Sequence, residues 1–338
     1  MNYETFFTEL EGKIFRSEMD NIPGAELIIH LKGEKAEAND TETDQFIRST
    51  NSKYFNADSG TLMDDFAELK FPGRTGSEKT NYIRFRIRYL HEIYTSRGWN
   101  GVRDHVTDNI RYADRIESSA DDILSVMDSY SKIRERLIIR PLSLKYNKAQ
   151  LEGFVYKAIG DIALVLYAIV LDDSENNCLN TVKIPEPVCR KWNIDPEKLI
   201  MSTLLNTNIL AMPRMYTNLP RMESTPDEES AFMSAECTLK SLKPAAVPLV
   251  TTTRKTNGAV AVFYPGVKEK IAELFGDSFY VAFTSIHEAM IHKKGTVEPS
   301  SIRKHIRATN DTFGPEDTLS DNVFFYNMNT GEFSMVAE

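Results

Sequence analysis

Cysteine is scarce. Cys178, Cys189 and Cys237 are the only three in 338 residues, too few and too scattered for a disulfide framework or a zinc knuckle, so a reducing, cytoplasmic setting is expected. Long apolar runs are missing as well. The longest, Ile162 to Leu171, is about half of what a bilayer crossing requires. Met1 to Leu10 carries Glu4 and Glu9 and lacks an early basic region, so a signal peptide is not expected there. Glycine-rich phosphate loops, the Rossmann fingerprint and a Gly-x-Ser-x-Gly elbow are all absent. These gaps remove the commonest nucleotide-binding and serine-hydrolase signatures, and no cofactor is expected.

Charge is present but segregated. The chain has a net charge of −9, which opposes general affinity for nucleic acid. Met1 to Leu69 is acidic, whereas Lys70 to Arg103 gathers eight Lys and Arg against Glu78 and Glu92. A second basic run holds Lys132, Arg134, Arg136, Arg140, Lys145 and Lys148, opposed by Glu135.

Within the first basic segment, Tyr82 to Tyr89 alternates almost perfectly. As a strand it would set Ile83, Phe85, Ile87 and Tyr89 on one face and Arg84, Arg86 and Arg88 on the other. Three arginines on one face repel each other unless something negative lies opposite. That opposing charge is either the acidic N-terminal segment of the chain itself or an external anionic partner. Partner-binding candidates are therefore Arg84, Arg86 and Arg88, with Arg134, Arg136 and Arg140 secondary.

The punctuation of the chain predicts its elements. Tyr3 to Met19 has helical spacing of Phe6, Phe7, Leu10, Ile14 and Phe15, and Ala25 to Leu31 follows as a strand. Lys32 to Thr80 reads as a polar surface excursion with a short helix at Leu62 to Leu69. Helices at Leu90 to Ser96 and Asn100 to Ala113, broken at Gly98, precede a further segment at Asp121 to Tyr130. Arg136 to Leu142 is a strand whose Pro141 suits an edge. Ile162 to Leu171 is a covered strand, Asn180 to Ile184 a shorter one, and Pro185 to Trp192 a helix. Asp195-Pro196 caps another, to about Leu205. Met212 to Glu229 reads as a loop, Ser230 to Ser241 as a short helix and Val247 to Thr253 as a strand. From Asn257 to Lys293 the order expected is strand (Ala259 to Tyr264), helix (Val267 to Phe275, closed by Gly276), strand (Phe279 to Phe283) and strand (Glu288 to His292). Ser300 to Ala308 is helical, and a hairpin turns about Asn329-Thr330-Gly331.

Candidate chemistry centres on Ser285, His287 and Glu288. His287, Glu288 and His292 approach the helical zinc motif, but the second His comes one residue late. That spacing misaligns the pair on a helix and splits it across the faces of a strand, so no metal is expected. Asp64-Asp65, Asp121-Asp122 and Asp172-Asp173 fall where Asp caps backbone N–H groups.

Lys132 to Leu142, Ile162 to Leu171, Trp192 to Pro213, Gly258 to Gly276, Phe279 to Ile291 with Ser285-Ile286-His287-Glu288, and Asp317 to Tyr326 with Leu319-Ser320-Asp321 resemble, in that order, a bacterial family of unknown function. It is found in anaerobic Gram-positive gut bacteria and is distantly similar to a second uncharacterised family of bacilli. The start, Met1-Asn2-Tyr3-Glu4, is familial too, whereas Thr41 to Thr80 is not. The resemblance implies an α+β fold with antiparallel strands, and no activity. The expectation is an α+β protein with a variable region at 1–118 and a compact body at 119–338. Its expected role is non-enzymatic binding of a macromolecular partner, protein or nucleic acid, through the basic strand face, without membrane association. A hydrolase using His287, Glu288 and Ser285 is the competing class.

Overall fold

The computed structural model describes residues 1–34, 55–56, 61–73, 80–173, 178–216, 230–237, 247–311 and 314–337. The fold is α+β, and its sheets are antiparallel. Among the described residues no helix is long and apolar enough to cross a membrane. The chain divides into two units, Met1–Asp122 and Ile123–Glu338.

The first unit opens with α1 (Tyr3–Leu10), a π turn (Glu11–Phe15) and α2 (Arg16–Asp20). Asn2 caps α1 by accepting from the Thr5 N–H at 2.9 Å. The apolar stripe does what its spacing predicts: Phe6, Leu10, Ile14 and Phe15 are buried. β1 (Glu26–His30) follows, then the short pair β2 (Phe55–Asn56) and β3 (Thr61–Leu62). β4 (Phe66–Pro72) is the centre of a three-stranded sheet between β1 and β5 (Thr80–Arg86). Helix α3 (Ile87–Val126) leaves β5 directly. It is broken at Gly98, where φ is 65°, a conformation that glycine adopts without steric penalty. Trp99 beside the break stacks on Phe6 at 5.0 Å.

Three expectations change here. Residues 66–69 belong to a strand, not a helix. Ala, Glu, Leu and Lys favour helix intrinsically, but pairing on both edges and burial of Ala67, Leu69 and Phe71 against the helices override that weak preference. The polar excursion of Lys32 to Thr80 therefore contains the central strand of this sheet, and much of the remainder lies outside the described residues. Arg88 is not on the strand, because helix begins at Ile87. The segment from Asp121 is no separate helix either: α3 continues to Val126.

In the second unit α4 (Tyr130–Ile133) and a 3-10 turn (Arg134–Arg136) lead into β6 (Leu137–Ser143). Then come α5 (Leu144–Asn147), a 3-10 turn (Lys148–Leu151), β7 (Tyr156–Ile159), β8 (Ile162–Asp173) and β9 (Cys178–Lys183). β8 pairs with β6 along one edge and with β7 and β9 along the other. Its residues from Ile162 to Ala168 are all buried, as a continuous apolar run with two covered faces requires.

α6 (Glu186–Lys191) and α7 (Pro196–Leu210) follow, and Asp195 caps α7 by accepting from the Lys198 N–H at 3.0 Å. α7 also shields the outer edge of β6. Thr207 Oγ1 accepts from the Ile139 N–H at 2.9 Å and donates to Thr203 O, while Asn206 Nδ2 donates to Leu137 O at 2.6 Å. Pro141 sits on that edge strand, where its missing N–H costs least.

A six-stranded sheet completes the unit in the order β10-β11-β13-β12-β14-β15. Its strands are β10 (Pro213–Tyr216), β11 (Leu249–Thr252), β12 (Phe279–Ala282), β13 (Ala289–Lys293), β14 (Val323–Tyr326) and β15 (Phe333–Met335). α8 (Val267–Phe275) ends at Gly276 with φ 64°, and α9 is Pro299–Asn310. Pro213 to Tyr216, expected in a loop, is strand, and 217–229 lies outside the described residues. Beyond a 3-10 residue at Ser230, no helix forms over 231–237, and the remainder of that expected helix lies outside the described residues. Ala259 to Tyr264, expected as strand, belongs largely to a 3-10 helix (Gly258–Phe263) with every residue buried. A run that is apolar at every position carries no period to separate the two.

Thr207→Val should leave the Ile139 N–H buried without an acceptor. The expected loss is ~1–3 kcal/mol, read as a lower urea midpoint at unchanged slope.

Candidate functional site

The arginines of the β5 region meet carboxylates of their own unit. Glu68 on β4 lies directly opposite Arg84 and is 3% exposed. Arg84 Nε donates to its Oε2 at 2.5 Å, and Lys70 Nζ and His30 Nε2 lie 3.8 Å from its oxygens. Burial holds the His30 pKa below its ordinary value although Glu68 pulls the other way. Asp64 takes the next two arginines: Arg86 Nε at 3.6 Å and Arg88 Nε at 3.5 Å. Arg88 also lies over the Tyr3 ring, and the Tyr3 hydroxyl donates to Asp65 at 2.6 Å. Asp64 is thus a partner for two cations, a role its place beside Asp65 in the sequence does not disclose. Side-chain exposure rises along the series, 21% for Arg84, 29% for Arg86 and 55% for Arg88. The negative charge that alternating arginines demand is supplied from within.

His287, Ser285 and Glu288 are close in the chain but turn to different partners. The Ser285 hydroxyl is buried and accepts from the His287 backbone N–H at 2.9 Å. Glu288 accepts from the Thr284 hydroxyl at 2.9 Å. The His287 ring accepts at Nδ1 from the Asn257 N–H at 3.1 Å, so its neutral form carries the proton on Nε2, which faces Asp317 at 3.5 Å. A general base needs a free lone pair within reach of a nucleophile. The Nδ1 lone pair is already engaged, and the Ser285 hydroxyl serves the backbone. The spacing of this turn is set by Gly258, where a Cβ would stand 2.0 Å from Thr251 Oγ1 and 2.6 Å from His287 O. Among the described residues no group of three His, Cys, Asp or Glu side chains is placed to hold a metal ion.

Asn257 links this turn to the third arginine set. Its φ is 53°, and Lys255 two residues earlier has φ 56°. Left-handed backbone at residues other than glycine is uncommon and clusters at functional sites. The Asn257 side-chain oxygen accepts from Arg140 Nη2 at 3.2 Å, and Thr181 accepts from Nη1 at 2.8 Å. The guanidinium lies over the Tyr167 ring at 5.0 Å. Burial draws the Arg140 pKa down and pushes that of Tyr167 up. Arg140 Nε has no hydrogen-bond partner among the described residues. Arg140 lines a small crevice with Thr252, Arg254, Thr256 and Asn257, and Thr252 Oγ1 is likewise buried without a partner. Arg254 is held by Asp172, with Nη1 to Oδ1 at 3.0 Å. Arg134 and Arg136 are exposed on the turn before β6, with Arg134 3.7 Å from Glu135.

A larger cleft of about 600 Å³ lies among Phe154, Tyr156, Cys189, Arg190, Asn193 and Asp195. Its charges are internally matched. Arg190 pairs with Glu186 at 2.8 Å, Asp195 caps α7, and burial pushes the Cys189 thiol up to about 11. A thiol so shifted is a poor nucleophile at neutral pH.

These features describe an α+β chain with a small crevice lined by two arginines in its second unit. It belongs to a family of unknown function, DUF5688, whose model matches residues 77–328. The matched stretch begins just before β5, so Asp64 and Glu68 precede it. No curated protein and no solved structure matches the chain. The sequence nominated Arg140 but not Asn257, Thr252, Tyr167 or Asp317. Only the Asn-Gly pair at 257–258 marked a special turn there.

Glu68→Gln is expected to destabilise the first unit by about 3 kcal/mol, and Glu68→Gln with Arg84→Met by clearly less, measured as a double-mutant cycle in urea. Gly258→Ala should break the Thr251–His287 contact and lower the melting temperature by roughly 6–16 degrees, on the order of 3–4 kcal/mol.

Proposed function

We propose that this chain is a non-enzymatic binding protein. It holds an acidic protein partner through arginines of its second unit, with Arg140 as the anchoring cation and Arg134 and Arg136 on the exposed approach. One observation carries this reading. The Arg140 side chain is half-buried at the edge of its sheet, and its described contacts are neutral: Thr181, Asn257 and the Tyr167 ring. Burying an ion without an opposite charge carries a penalty of several kcal/mol. An incoming anion would relieve it.

The alternative contact, through Arg84, Arg86 and Arg88, asks a partner to compete with Glu68 and Asp64 for the same guanidinium groups. A nucleic-acid partner presents a phosphate at every nucleotide and calls for several free cations together, against a net charge of −9. One desolvated arginine suits a single carboxylate on a protein surface better. The neutral-form contacts of His287 and the buried hydroxyl of Ser285 favour binding over hydrolysis.

The test is affinity capture from the native host, with proteins and nucleic acids both scored. Wild type and Arg88→Ala should capture the same protein partner, insensitive to nuclease. Arg140→Met, checked for folding by circular dichroism, should retain less than a tenth of it. Undiminished capture by Arg140→Met would overturn the reading, and so would capture abolished by nuclease.

A further inference from the structure

α7 is apolar on both of its faces. Leu199, Ile200 and Leu204 are buried in the main core of the second unit. On the other side Met201, Leu205 and Ile209 follow one another at a spacing of four, and Met212 continues the row just past the helix end. Their exposure runs from 44% for Met201 to 76% for Ile209. Single exposed apolar side chains are ordinary on a protein surface. An unbroken row is not, and a helix that is hydrophobic all round is normally buried all round. No charged residue occurs from Leu199 to Pro213, so this face also lacks the charges that a solvent-facing helix carries.

Shape and charge narrow what fits. Residues four apart form one of the ridges by which helices interlock, and Met201 to Ile209 makes a row about 12 Å long at 1.5 Å per residue. Such a ridge is matched by a second helix laying its own apolar anchors alongside. Charge comes from the neighbouring segment. The Tyr130 and Ser202 hydroxyls lie 3.4 Å apart, and Asn206 Nδ2 donates to Glu135 O at 3.2 Å and to Leu137 O at 2.6 Å. The chain from Tyr130 to Leu137 therefore runs along one side of the row. It exposes Lys132, Arg134 and Arg136 against Glu135 alone. An uncharged apolar row with cations along its border is complementary to a helix that carries apolar anchors with Asp or Glu beside them.

Two other occupants fit less well. If two copies of this chain packed their rows antiparallel about a two-fold axis, the cationic border of one would fall beside that of the other, and like charges repel. Helices that lie in a lipid surface bury Trp, Phe and Leu over a broad face, whereas this row is narrow and has neither Trp nor Phe.

We infer that the Met201–Leu205–Ile209 face of α7 is a docking surface for an acidic amphipathic helix of a partner protein. The acidity of that helix rests on the binding role proposed above; the apolar row stands apart from it.

The experiment puts the photoreactive residue benzoylphenylalanine in place of Leu205 in the full-length protein, produced in its native host. Mass spectrometry then identifies the peptide joined to it on illumination. The expected product is a segment of another protein with apolar residues at helical spacing and an excess of Asp and Glu. A crosslink to a second copy of this chain, to its own chain, to lipid or to a segment without that pattern overturns the inference, as does no crosslink.

Leu205→Gln with Ile209→Gln keeps both charge and helix propensity. It should reduce capture of the crosslinked protein about ten-fold and leave the urea midpoint of the free chain unchanged, since both side chains are exposed. A clear fall in that midpoint would show the row already covered by this chain, and overturn the inference. Arg134→Gln with Arg136→Gln should weaken capture and flatten its salt dependence; capture unchanged in strength and salt response overturns the acidic assignment. If the Leu205, Ile209 pair of changes leaves capture intact while Arg140→Met abolishes it, the docking surface alone falls. If Arg140→Met captures normally and the paired change does not, the Arg140 anchor falls and the docking surface stands.

Discussion

β8 is hydrogen-bonded along both edges and covered on both faces, and the second unit is arranged to keep it so. β6 takes one edge, while β7 and β9 share the other. Leu164, Leu166 and Ala168 face the main core, and Ala163, Val165 and Tyr167 face a smaller cluster with Ile138 and Leu151. Arg140 is paired with Val165 and so joins that smaller, less enclosed side. A cation can occupy such a position because the Tyr167 ring presents its negative face and Thr181 and Asn257 supply acceptors. The same sheet that excludes water from its strand thereby withdraws a charge from it.

Arg84, Arg86 and Arg88 of the first unit and Arg140 of the second are stabilised in opposite ways. In the first, Glu68 and Asp64 neutralise Arg84, Arg86 and Arg88 and tie the strand-to-helix junction together. Removing one carboxylate there strands several cations, which is the damaging way to break a buried pair. In the second, the described contacts of Arg140 are dipoles and a ring. In the binding role proposed above, a charge so held is what the chain offers an anion.

Local chemistry was legible in the chain, and long-range pairing was not. Asp195-Pro196 opening α7, Gly276 closing α8 and Gly98 breaking α3 are signals contained within a few residues, and each could be read directly. Alternation across Tyr82 to Arg86 predicted its strand and required an anion opposite, but it could not name Glu68, because the strand that carries Glu68 looked helical by composition. Gly258 to Phe263 defeated periodicity altogether, since every side chain is buried. The crevice is further from view still. Asn257 meets Arg140 across 117 positions of sequence and His287 across 30, and no spacing rule connects such residues. His287 and Glu288 drew notice for their types, yet their hydrogen bonds go to Asn257 and Thr284.

The shielding of β6 by α7 has a wider consequence. A sheet edge with open N–H and C=O groups is a template on which another chain can pair, and such edges seed aggregation. Here Asn206 and Thr207 occupy the groups of Leu137 and Ile139, and Pro141 removes a further donor. β6 can therefore hold Arg140 at the margin of the sheet without offering its backbone to strangers. Pairing of another chain at that margin finds the main-chain groups of Leu137 and Ile139 already taken and only side chains on offer.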